Sequence, residues 1–529
     1  MNKNLYRIIF NKRRGQLMVV AENASSQGKA AKGEGGLDSG VFEGDGGGGI
    51  NGRLRPLALA IFGALGMVSF VAGPAMGQIV ADPNAPGRQR PTVVQSANGV
   101  TQVNIQTPSA AGVSRNTYSQ FDVTANGAIL NNSRGNVQTQ TGGWVQGNPW
   151  LAGGSARVIL NEVNSANPSQ LRGYVEVAGQ RAEVVIANPA GVAIDGGGFI
   201  NASRVVLTTG TPILNDGSLD GYMVQRGVIT INGRGLDTSL SDYTAILARA
   251  AQINGGIWAQ ELKVVTGTNQ IDAAHGVAGA ASGVGPAPAY ALDVAQLGGM
   301  YAGKITLIGT EAGLGVRNAG VLAATAGNLV LQSNGWLSNS GNIQSAGSGS
   351  QTSIAVTGDV ANSGTVYAGG DSQVQAQGNI ANSGVIGAQN NVGVQATGAG
   401  SRIDATAGSV LAAGLNLDNT LTASGKLSVS AGDTIAAHGT VVAGGDSSLA
   451  ARQLDLAGAQ VSGANVSLGA SAGDLDASRA QVSARERLQL DAAHTVRSDA
   501  AQLTGQQLGV NAHDLSNVGG SSCNSVRAT

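Results

Sequence analysis

The sequence predicts an all-β protein, a right-handed parallel β-helix whose N-terminal part caps the helix. Three observations support this fold class. After about Gly320, segments recur at intervals near 20 residues. Within each interval, short stretches alternate apolar and polar residues, and Gly, Asn or Asp interrupts them. Aromatic residues make up only 3% of the chain. Self-similarity at such a period is typical of a solenoid.

The period rests on three recurrences, of which the first falls at a step of 20 residues and the last at steps of 21. They are Gly358-Asp-Val-Ala-Asn-Ser-Gly364 with Gly378-Asn-Ile-Ala-Asn-Ser-Gly384, Gly364-Thr-Val-Tyr-Ala-Gly-Gly-Asp-Ser372 with Gly439-Thr-Val-Val-Ala-Gly-Gly-Asp-Ser447, and the series Val461, Val482 and Leu503.

The composition excludes an ordinary globule. Charged residues are 12% of the chain and Gly contributes 82 of 529 residues, so few large side chains are present to fill a thick core. Disorder is an alternative for a chain so rich in Gly. Val, Ile and Leu recur throughout, however, and the formal net charge is −1, which favours a folded β protein with a thin core.

Helical repeats and leucine-rich repeats do not fit, because neither long helices nor the Leu-x-x-Leu-x-Leu spacing occurs. In a parallel β-helix each period is one coil of about three strands, and coils stack about 4.8 Å apart. Roughly twenty coils would give a rod on the order of 100 Å long. Asn362 and Asn382 lie one period apart. They form either a buried amide ladder or ordinary exposed turns.

The less regular part of the chain upstream of about Gly320 contains Trp144, Trp150 and Trp258, with Trp336 just downstream. An open β-helix exposes a sheet edge at each end. Atypical terminal repeats commonly cover such edges. We therefore expect this part to cap the helix.

The first 77 residues have the organisation of an export signal of unusual length. Arg53 and Arg55 precede an apolar stretch, Leu57 to Gly73, and a small-x-small site follows at Ala75-Met76-Gly77. These features predict cleavage before Gln78. The alternative is a transmembrane anchor, since the apolar stretch approaches the length of a bilayer span.

Charge and cysteine content agree with export. Without the leader, the chain carries 22 Lys and Arg against 27 Asp and Glu, which offers no basic surface for nucleic acid. Cys523 is the only cysteine, so no disulfide can form within the chain.

Two Asn-Pro turns stand out in the N-terminal part: Asn148-Pro149-Trp-Leu and Asn188-Pro189-Ala-Gly191-Val. Pro fixes φ and the Asn side chain can bond its own backbone, so each motif predicts a rigid turn between strands.

With these turns the chain resembles the filamentous haemagglutinin family of two-partner secretion exoproteins, whose secretion domain carries Asn-Pro-Asn-Leu and Asn-Pro-Asn-Gly-Ile in the same order. Here Trp150, Ala190 and Val192 replace family residues. The leader is similar to the family's extended signal peptide through Asn4-Leu-Tyr-Arg and Lys12-Arg-Arg-Gly. Further similar segments run from Leu297 to Ile305 and from Gly309 to Asn318.

The resemblance implies three regions: an extended signal peptide at 1–77, a secretion domain at 78–310 and β-helix repeats at 311–529. It also implies passage through the general secretory translocon, recognition by the POTRA domains of an outer-membrane β-barrel transporter, and folding at the bacterial cell surface. The implied secretion motifs are Asn148, Pro149, Asn188, Pro189 and Gly191.

Catalysis and cofactors find no support. The four histidines lack metal-like spacing, and Glu261, Asp272 and Glu311 are scattered without a paired-acid pattern. No phosphate-binding loop is present. The sequence therefore predicts no enzymatic activity, no cofactor and no metal. A polysaccharide-cleaving β-helix enzyme is the alternative, since one sequence cannot show whether acids share a face.

Two functions fit the resemblance. The first is an adhesin that attaches to a receptor or glycan on cells or surfaces. The second is the stalk of a contact-dependent growth-inhibition toxin, whose toxin domain lies at the far end. The last residues, Ser521 to Thr529, break the repeat pattern, and we expect them to mark a frameshift or early stop in such a stalk.

Overall fold

The computed structural model describes residues 6–11, 16–21 and 78–523. Residues 78–523 form a parallel β-helix of about 18 turns, and no α-helix occurs among these described residues. The predicted fold class is confirmed. None of the described helical segments has the length and apolar character needed to cross a membrane. In a separate N-terminal unit, Tyr6–Asn11 pairs antiparallel with Gln16–Ala21.

Each coil contributes one strand to each of three faces, which follow one another along the chain as faces A, B and C. Face A contains Thr101–Asn104, Ala128–Asn132, Tyr174–Gly179, Gly197–Ile200, Leu236–Thr238, the start of Gly256–Thr266, the start of Gly299–Gly309, Val321–Ala324, Asn342–Ser345, Thr365–Ala368, Val385–Ala388, Val410–Ala413, Thr440–Ala443, Gln460–Gly463, Gln481–Ala484, Gln502–Thr504 and Ser521–Cys523.

Face B contains Val113–Phe121, Val158–Val163, Ala182–Ala187, Ala202–Thr208, Tyr243–Ala248, the remainder of Gly256–Thr266, the remainder of Gly299–Gly309, Leu329–Ser333, Thr352–Val356, Ser372–Ala376, Val392–Ala396, Leu427–Ala431, Ser447–Ala451, Val466–Ala470, Arg487–Ala492 and Gln507–Asn511. Face C is a sheet of 15 strands: Ser169–Leu171, Val192–Ile194, Val228–Ile231, Ala250–Ile253, Leu292–Val294, Val316–Asn318, Leu337–Asn339, Val360–Asn362, Ile380–Asn382, Arg402–Ala405, Thr434–Ala437, Gln453–Asp455, Leu475–Asp476, Thr495–Arg497 and Asp514–Ser516.

Faces A and B belong to one sheet because two long strands, Gly256–Thr266 and Gly299–Gly309, run through the corner between them. Elsewhere a turn separates the two faces. Within a strand, alternate side chains point into the helix, as the period of two requires. The inward side chains are mostly Val, Ile, Leu and Ala, and they form one continuous core from Ile79 to Leu508. The thin core predicted from composition is confirmed.

The repeated Asn-Ser-Gly segment has a structural explanation. Asn318, Asn339, Asn362 and Asn382 are buried on face C, and the Nδ2 of each of the first three donates to the Oδ1 of the next at 2.7–2.8 Å. The buried ladder, and not the exposed turn, is therefore correct. Gly364, two residues after Asn362, turns the corner into face A. A Cβ there would collide with the backbone carbonyl of Gly341 in the coil before.

Antiparallel strands cover the N-terminal edge. Ile79–Ala81 pairs with Val113–Phe121 of face B, and Thr92–Gln95 pairs with Thr101–Asn104 of face A. The first coil is thus not left as an open edge. The expected N-terminal cap is present.

Two further elements lie outside the coils. The hairpin of Val137–Thr139 and Gly143–Val145 packs on face A. A four-stranded antiparallel sheet covers face B and consists of Thr211–Asn215, Ser218–Val224, Asn269–Asp272 and Val277–Ala280. Its Tyr222, Val224 and Ile271 form a second core with outward apolar residues of face B. Both elements fall in the irregular half of the β-helix.

Candidate functional site

The first Asn-Pro turn is fixed by the Asn148 side chain. Asn148 is 3% exposed and precedes the short 3-10 helix Pro149–Leu151. Its Oδ1 accepts from the backbone N–H of Trp150 at 3.0 Å. Its Nδ2 donates to the carbonyl oxygens of Ile105 and Asn131 at 2.8 and 2.9 Å. Asn148 therefore closes the turn with one hydrogen bond and joins it to neighbouring strands with two buried ones.

The outward part of this turn consists of Pro149 and Trp150, which are both exposed. The indole Nε1 of Trp150 donates to Thr92 Oγ1 at 3.2 Å, and its carbonyl accepts from Thr107 Oγ1 at 2.7 Å. Leu151 is buried in the main core. The turn thus holds a tryptophan at the surface beside the capping strand.

The second turn uses its Asn in the same way. Asn188 is fully buried, and its Oδ1 accepts from the backbone N–H of Ala190 at 2.9 Å. Its Nδ2 donates to the Asn167 carbonyl and to Ser169 Oγ, both at 3.0 Å. The N–H of Gly191 closes the turn on the Asn188 carbonyl at 2.9 Å.

Gly191 is needed at its position. Its φ is +124°, a conformation that residues with a Cβ rarely adopt. A Cβ added there would lie 2.8 Å from the Val228 carbonyl of the next coil. The Gly191 carbonyl also accepts from Ser169 N–H at 3.1 Å. The Asn-Pro-x-Gly pattern therefore matches the close stacking of three coils.

The structure does not bring the two motifs into one site. The Asn148 turn precedes the face B strand Val158–Val163, whereas the Asn188 turn joins face B to face C. Both Asn side chains are buried and each makes three hydrogen bonds, so neither is available to contact a partner. Any surface recognition falls to their exposed neighbours.

A polar groove of about 570 Å³ lies beside the second turn. Pro189 and Ala190 form one side, and Asn164, Arg226 and Gly227 are among the other lining residues. Arg226 is exposed and gives the groove a positive charge. This groove is the surface through which the Asn188 turn is accessible.

Sequence reasoning missed a buried polar cluster under the cap. Tyr118 donates to Asn161 Oδ1 at 2.9 Å, and Asn161 donates to the Val185 carbonyl at 3.0 Å. Asn116, in the coil before, accepts from Gln106 N–H at 2.9 Å. Burial raises the pKa of Tyr118, so the hydroxyl stays protonated and donates. No periodic signal marks these residues, although Asn in a predicted strand is itself unusual.

The scattered acids have structural partners. Glu261 pairs with Lys304 at 3.0 Å, Glu311 pairs with Arg249 at 2.8 Å, and Asp272 accepts from the backbone N–H of Gly276 at 2.8 Å. Among the described residues, no group of three or more His, Cys, Asp or Glu side chains could hold a metal ion.

The predicted cleavage site is only partly within the structure. Ala75 and Gly77 lie outside the described residues. Gln78 is exposed, and its carbonyl accepts from Asp122 N–H at 3.0 Å. Gln78 directly precedes the first strand of the β-helix, Ile79–Ala81.

Two protein families match the chain: the TPS secretion domain over residues 77–345 and the extended signal peptide of the type V secretion system over residues 1–41. The chain is 49% identical to a toxin CdiA of Yersinia pestis over 98% of its own length and 15% of that protein. It is also 49% identical to the tRNA nuclease CdiA-2 of Burkholderia pseudomallei strain 1026b, over 65% of its length and 11% of that protein.

Among solved structures, the crystal structure of a filamentous haemagglutinin secretion domain matches at 27% identity with a TM-score of 0.44, covering 72% of this chain and 99% of that one. The chain spans about 15% of the length of the first of these curated relatives. The leader and secretion domain indicate export across the inner membrane to the cell surface, with a cognate outer-membrane transporter as partner. The chain belongs to the TPS family of exoproteins, which carry an N-terminal secretion domain of the filamentous haemagglutinin and CdiA type.

Proposed function

We propose that this chain is the export module and proximal stalk of a contact-dependent growth-inhibition exoprotein. The identity of 49% to a toxin CdiA across 98% of the chain carries the proposal. In this proposal the chain has no catalytic role. It brings the polypeptide to the cell surface and holds the domain that it carries away from the membrane.

In the proposed route, the unfolded chain first crosses the inner membrane through the translocon. Its leader is then cleaved off before Gln78. Residues 78–310 are then recognised by the POTRA domains of the transporter, and residues 311–529 follow as repeats. Folding outside proceeds from the capped N-terminal coil, because each later coil needs only its predecessor as a template. A single cysteine leaves no intramolecular disulfide to interrupt passage.

In this proposal the two Asn-Pro turns act in folding the first coils, since Asn148 and Asn188 are buried and hydrogen-bonded. The surface contribution to recognition comes from the exposed Trp150 and from Pro189 and Ala190, which are half-buried. This division makes different predictions for variants of the buried and of the exposed residues.

The test is export with and without the cognate transporter. We expect transporter-dependent appearance outside the cell of a chain that begins at Gln78. Asn188→Ala should reduce export strongly, whereas Asn362→Ala, which removes an equally buried amide from the repeat ladder, should leave export close to that of the wild type. Equal losses for both variants would assign the effect to general instability of the β-helix. Export without the transporter would contradict the route.

The second candidate is an adhesin that attaches to a receptor or glycan, and the exposed aromatic side chains of the β-helix favour it. Growth competition separates the two candidates. An inhibition toxin stalk requires the longer reading frame and kills susceptible neighbours, whereas an adhesin increases attachment without growth inhibition.

A further inference from the structure

A groove that combines an aromatic ring with polar groups lies on the corner before face C, around Trp336. One face of the Trp336 indole rests on Gly315 of the preceding coil, because a Cβ on Gly315 would fall on the bond shared by the two rings. Beyond the indole is a groove of about 480 Å³. Ligand pockets commonly have volumes in this range, about 300–1,000 Å³.

The indole is held in place before any ligand arrives. Tyr290 meets Trp336 edge-on, with ring centroids 5.8 Å apart. Arg317 lies over the Tyr290 ring at 4.6 Å and forms two 2.7 Å hydrogen bonds with Asp293. Because this pair is neutral, it fixes the aromatic rings without adding net charge to the groove.

The groove is open because small residues occupy the positions that could fill it. Gly335 and Gly358 occupy the stacked turn positions, and Ser338 and Ala361 follow on face C. A Cβ on Gly335 would collide with the Leu314 carbonyl, so the backbone geometry requires glycine there. The space beside Trp336 therefore persists in the folded chain.

Polar groups of both kinds surround the indole. The carboxylate of Asp359, one coil beyond Trp336, has one oxygen bound to Asn379 N–H at 2.7 Å, and its other oxygen has no hydrogen-bond partner among the described residues. Thr357 Oγ1 and the Asn334 amide form the rim and bond each other at 3.1 Å. Within the described part of the chain, the indole N–H of Trp336 also finds no acceptor.

From this geometry we infer that the Trp336 groove binds a neutral saccharide unit. A pyranose ring presents an apolar C–H face, which suits a rigid indole, and hydroxyl groups at its edge that both donate and accept. The groove supplies the ring surface, a free acceptor on Asp359 and a hydroxyl on Thr357. A cationic side chain is the competing occupant, because Trp and Asp also suit a cation. The groove offers hydrogen-bond donors as well as one carboxylate acceptor, and a saccharide can use both kinds of group whereas a cation can use only acceptors. This favours the saccharide.

The inference gives the attachment function a ligand class and a place, and it does not depend on the transporter. The test uses the full chain purified after export. Its binding is measured on immobilised neutral oligomers of glucose, galactose, mannose and N-acetylglucosamine, on sulfated oligosaccharides, and on a Lys- and Arg-rich peptide. We expect the exported chain to bind at least one neutral oligomer.

The variants are chosen to separate binding from folding. Trp336→Ala should weaken binding about tenfold or more, and Asp359→Asn, at an exposed position, should weaken it several-fold. Trp336→Phe should retain part of the affinity. The matched control is Trp258→Ala, which removes an exposed tryptophan (42%) from face A and should change affinity less than about twofold.

No binding of any neutral oligomer at millimolar concentration would overturn the inference, as would equal loss in Trp336→Ala and Trp258→Ala. Preferential binding of the basic peptide that Asp359→Asn abolishes would also overturn it, in favour of a cation site. Loss of saccharide binding in Trp336→Ala with unchanged attachment to cells would support this site and show that attachment uses another surface.

Discussion

The irregular half, residues 78–310, and the repeat region, residues 311–523, belong to the same β-helix but are stabilised differently. The irregular half adds an antiparallel sheet, a hairpin and the aromatic core residues Tyr118, Phe121 and Phe199. The repeat region is stabilised by stacked small residues and the Asn ladder. Coil stacking therefore accounts for the shape of both parts, whereas contacts between distant segments distinguish the first.

This comparison predicts that buried amides contribute more in the irregular half. Asn148→Ala removes three hydrogen bonds, two of them buried, and leaves the Ile105 and Asn131 carbonyls without this partner. We expect a loss of about 3–4 kcal/mol of local stability. Hydrogen exchange of the amides between residues 101 and 132 measures it. Asn339→Ala, which breaks the ladder at one step, should cost about 2 kcal/mol and accelerate exchange only in adjacent coils. Equal effects would remove the distinction.

The same contrast explains which structural features could be predicted from the sequence. The ladder was one of two alternatives that the sequence left open: the return of Asn after one period predicts that Asn362 and Asn382 lie side by side, and the structure shows that they are buried. The series Val461, Val482 and Leu503 likewise forms a register column on face A. Periodicity determines such contacts without any long-range information.

The other features depend on contacts that have no period. The antiparallel sheet joins Ser218–Val224 to Asn269–Asp272 across about two coils of intervening chain. The Trp336 groove requires Gly315, Trp336 and Asp359 on successive corners, and only the register of face C aligns them. Asn148 and Asn188 were predicted as turn residues from their Asn-Pro motifs and as secretion motifs from the family resemblance, and their burial became apparent only from the structure.

The antiparallel sheet that covers face B is expected to lose stability at acidic pH. Burial, together with Arg204 and Lys263, lowers the pKa of His275 to about 4, and Asp272 offsets part of this shift. The ring stacks on Tyr243, near Tyr222. The folded state binds this proton less readily than the unfolded chain, whose His pKa is 6.5. This contribution is therefore complete above pH 6.5 and decreases as the pH falls to about 4, by about 3 kcal/mol.

The measurement compares wild type and His275→Asn in denaturant unfolding at pH 7 and pH 4.5, followed by the signal of the buried tyrosines. Asn tolerates the φ of +62° at this position and does not titrate, so it isolates the histidine. Burial raises the pKa of Glu183, which gives a contribution of opposite sign in both proteins. An unchanged pH dependence in His275→Asn would show that another group is responsible.

A smaller effect is expected at the junction of the two regions. Arg249 and Glu311 form a bidentate pair whose side chains are 8% and 18% exposed, and Arg249 also donates to the carbonyls of Val284, Gly285 and Pro286. Glu311→Gln leaves a buried guanidinium without its counter-charge. We expect a loss of about 2–3 kcal/mol and faster proteolysis in the segment 281–290. Unchanged proteolysis would show that the carbonyls alone hold this segment.

The smallest effect is expected for an exposed Arg–Asp ion pair in the repeat region, which has the same type of charge pairing as Arg249 and Glu311. Arg497 and Asp476 lie on successive coils of face C, 3.4 Å apart, with side chains 53% and 30% exposed. Water already solvates both charges, so Arg497→Gln should change stability by less than about 0.5 kcal/mol. Unfolding of this variant and of Glu311→Gln at low and high salt provides the measurement. A loss for Arg497→Gln as large as that for Glu311→Gln would mean that charge pairing between coils stabilises the repeats. A negligible loss would mean that only buried ion pairs contribute appreciably to stability. The stability of the repeats would then come from their stacked core.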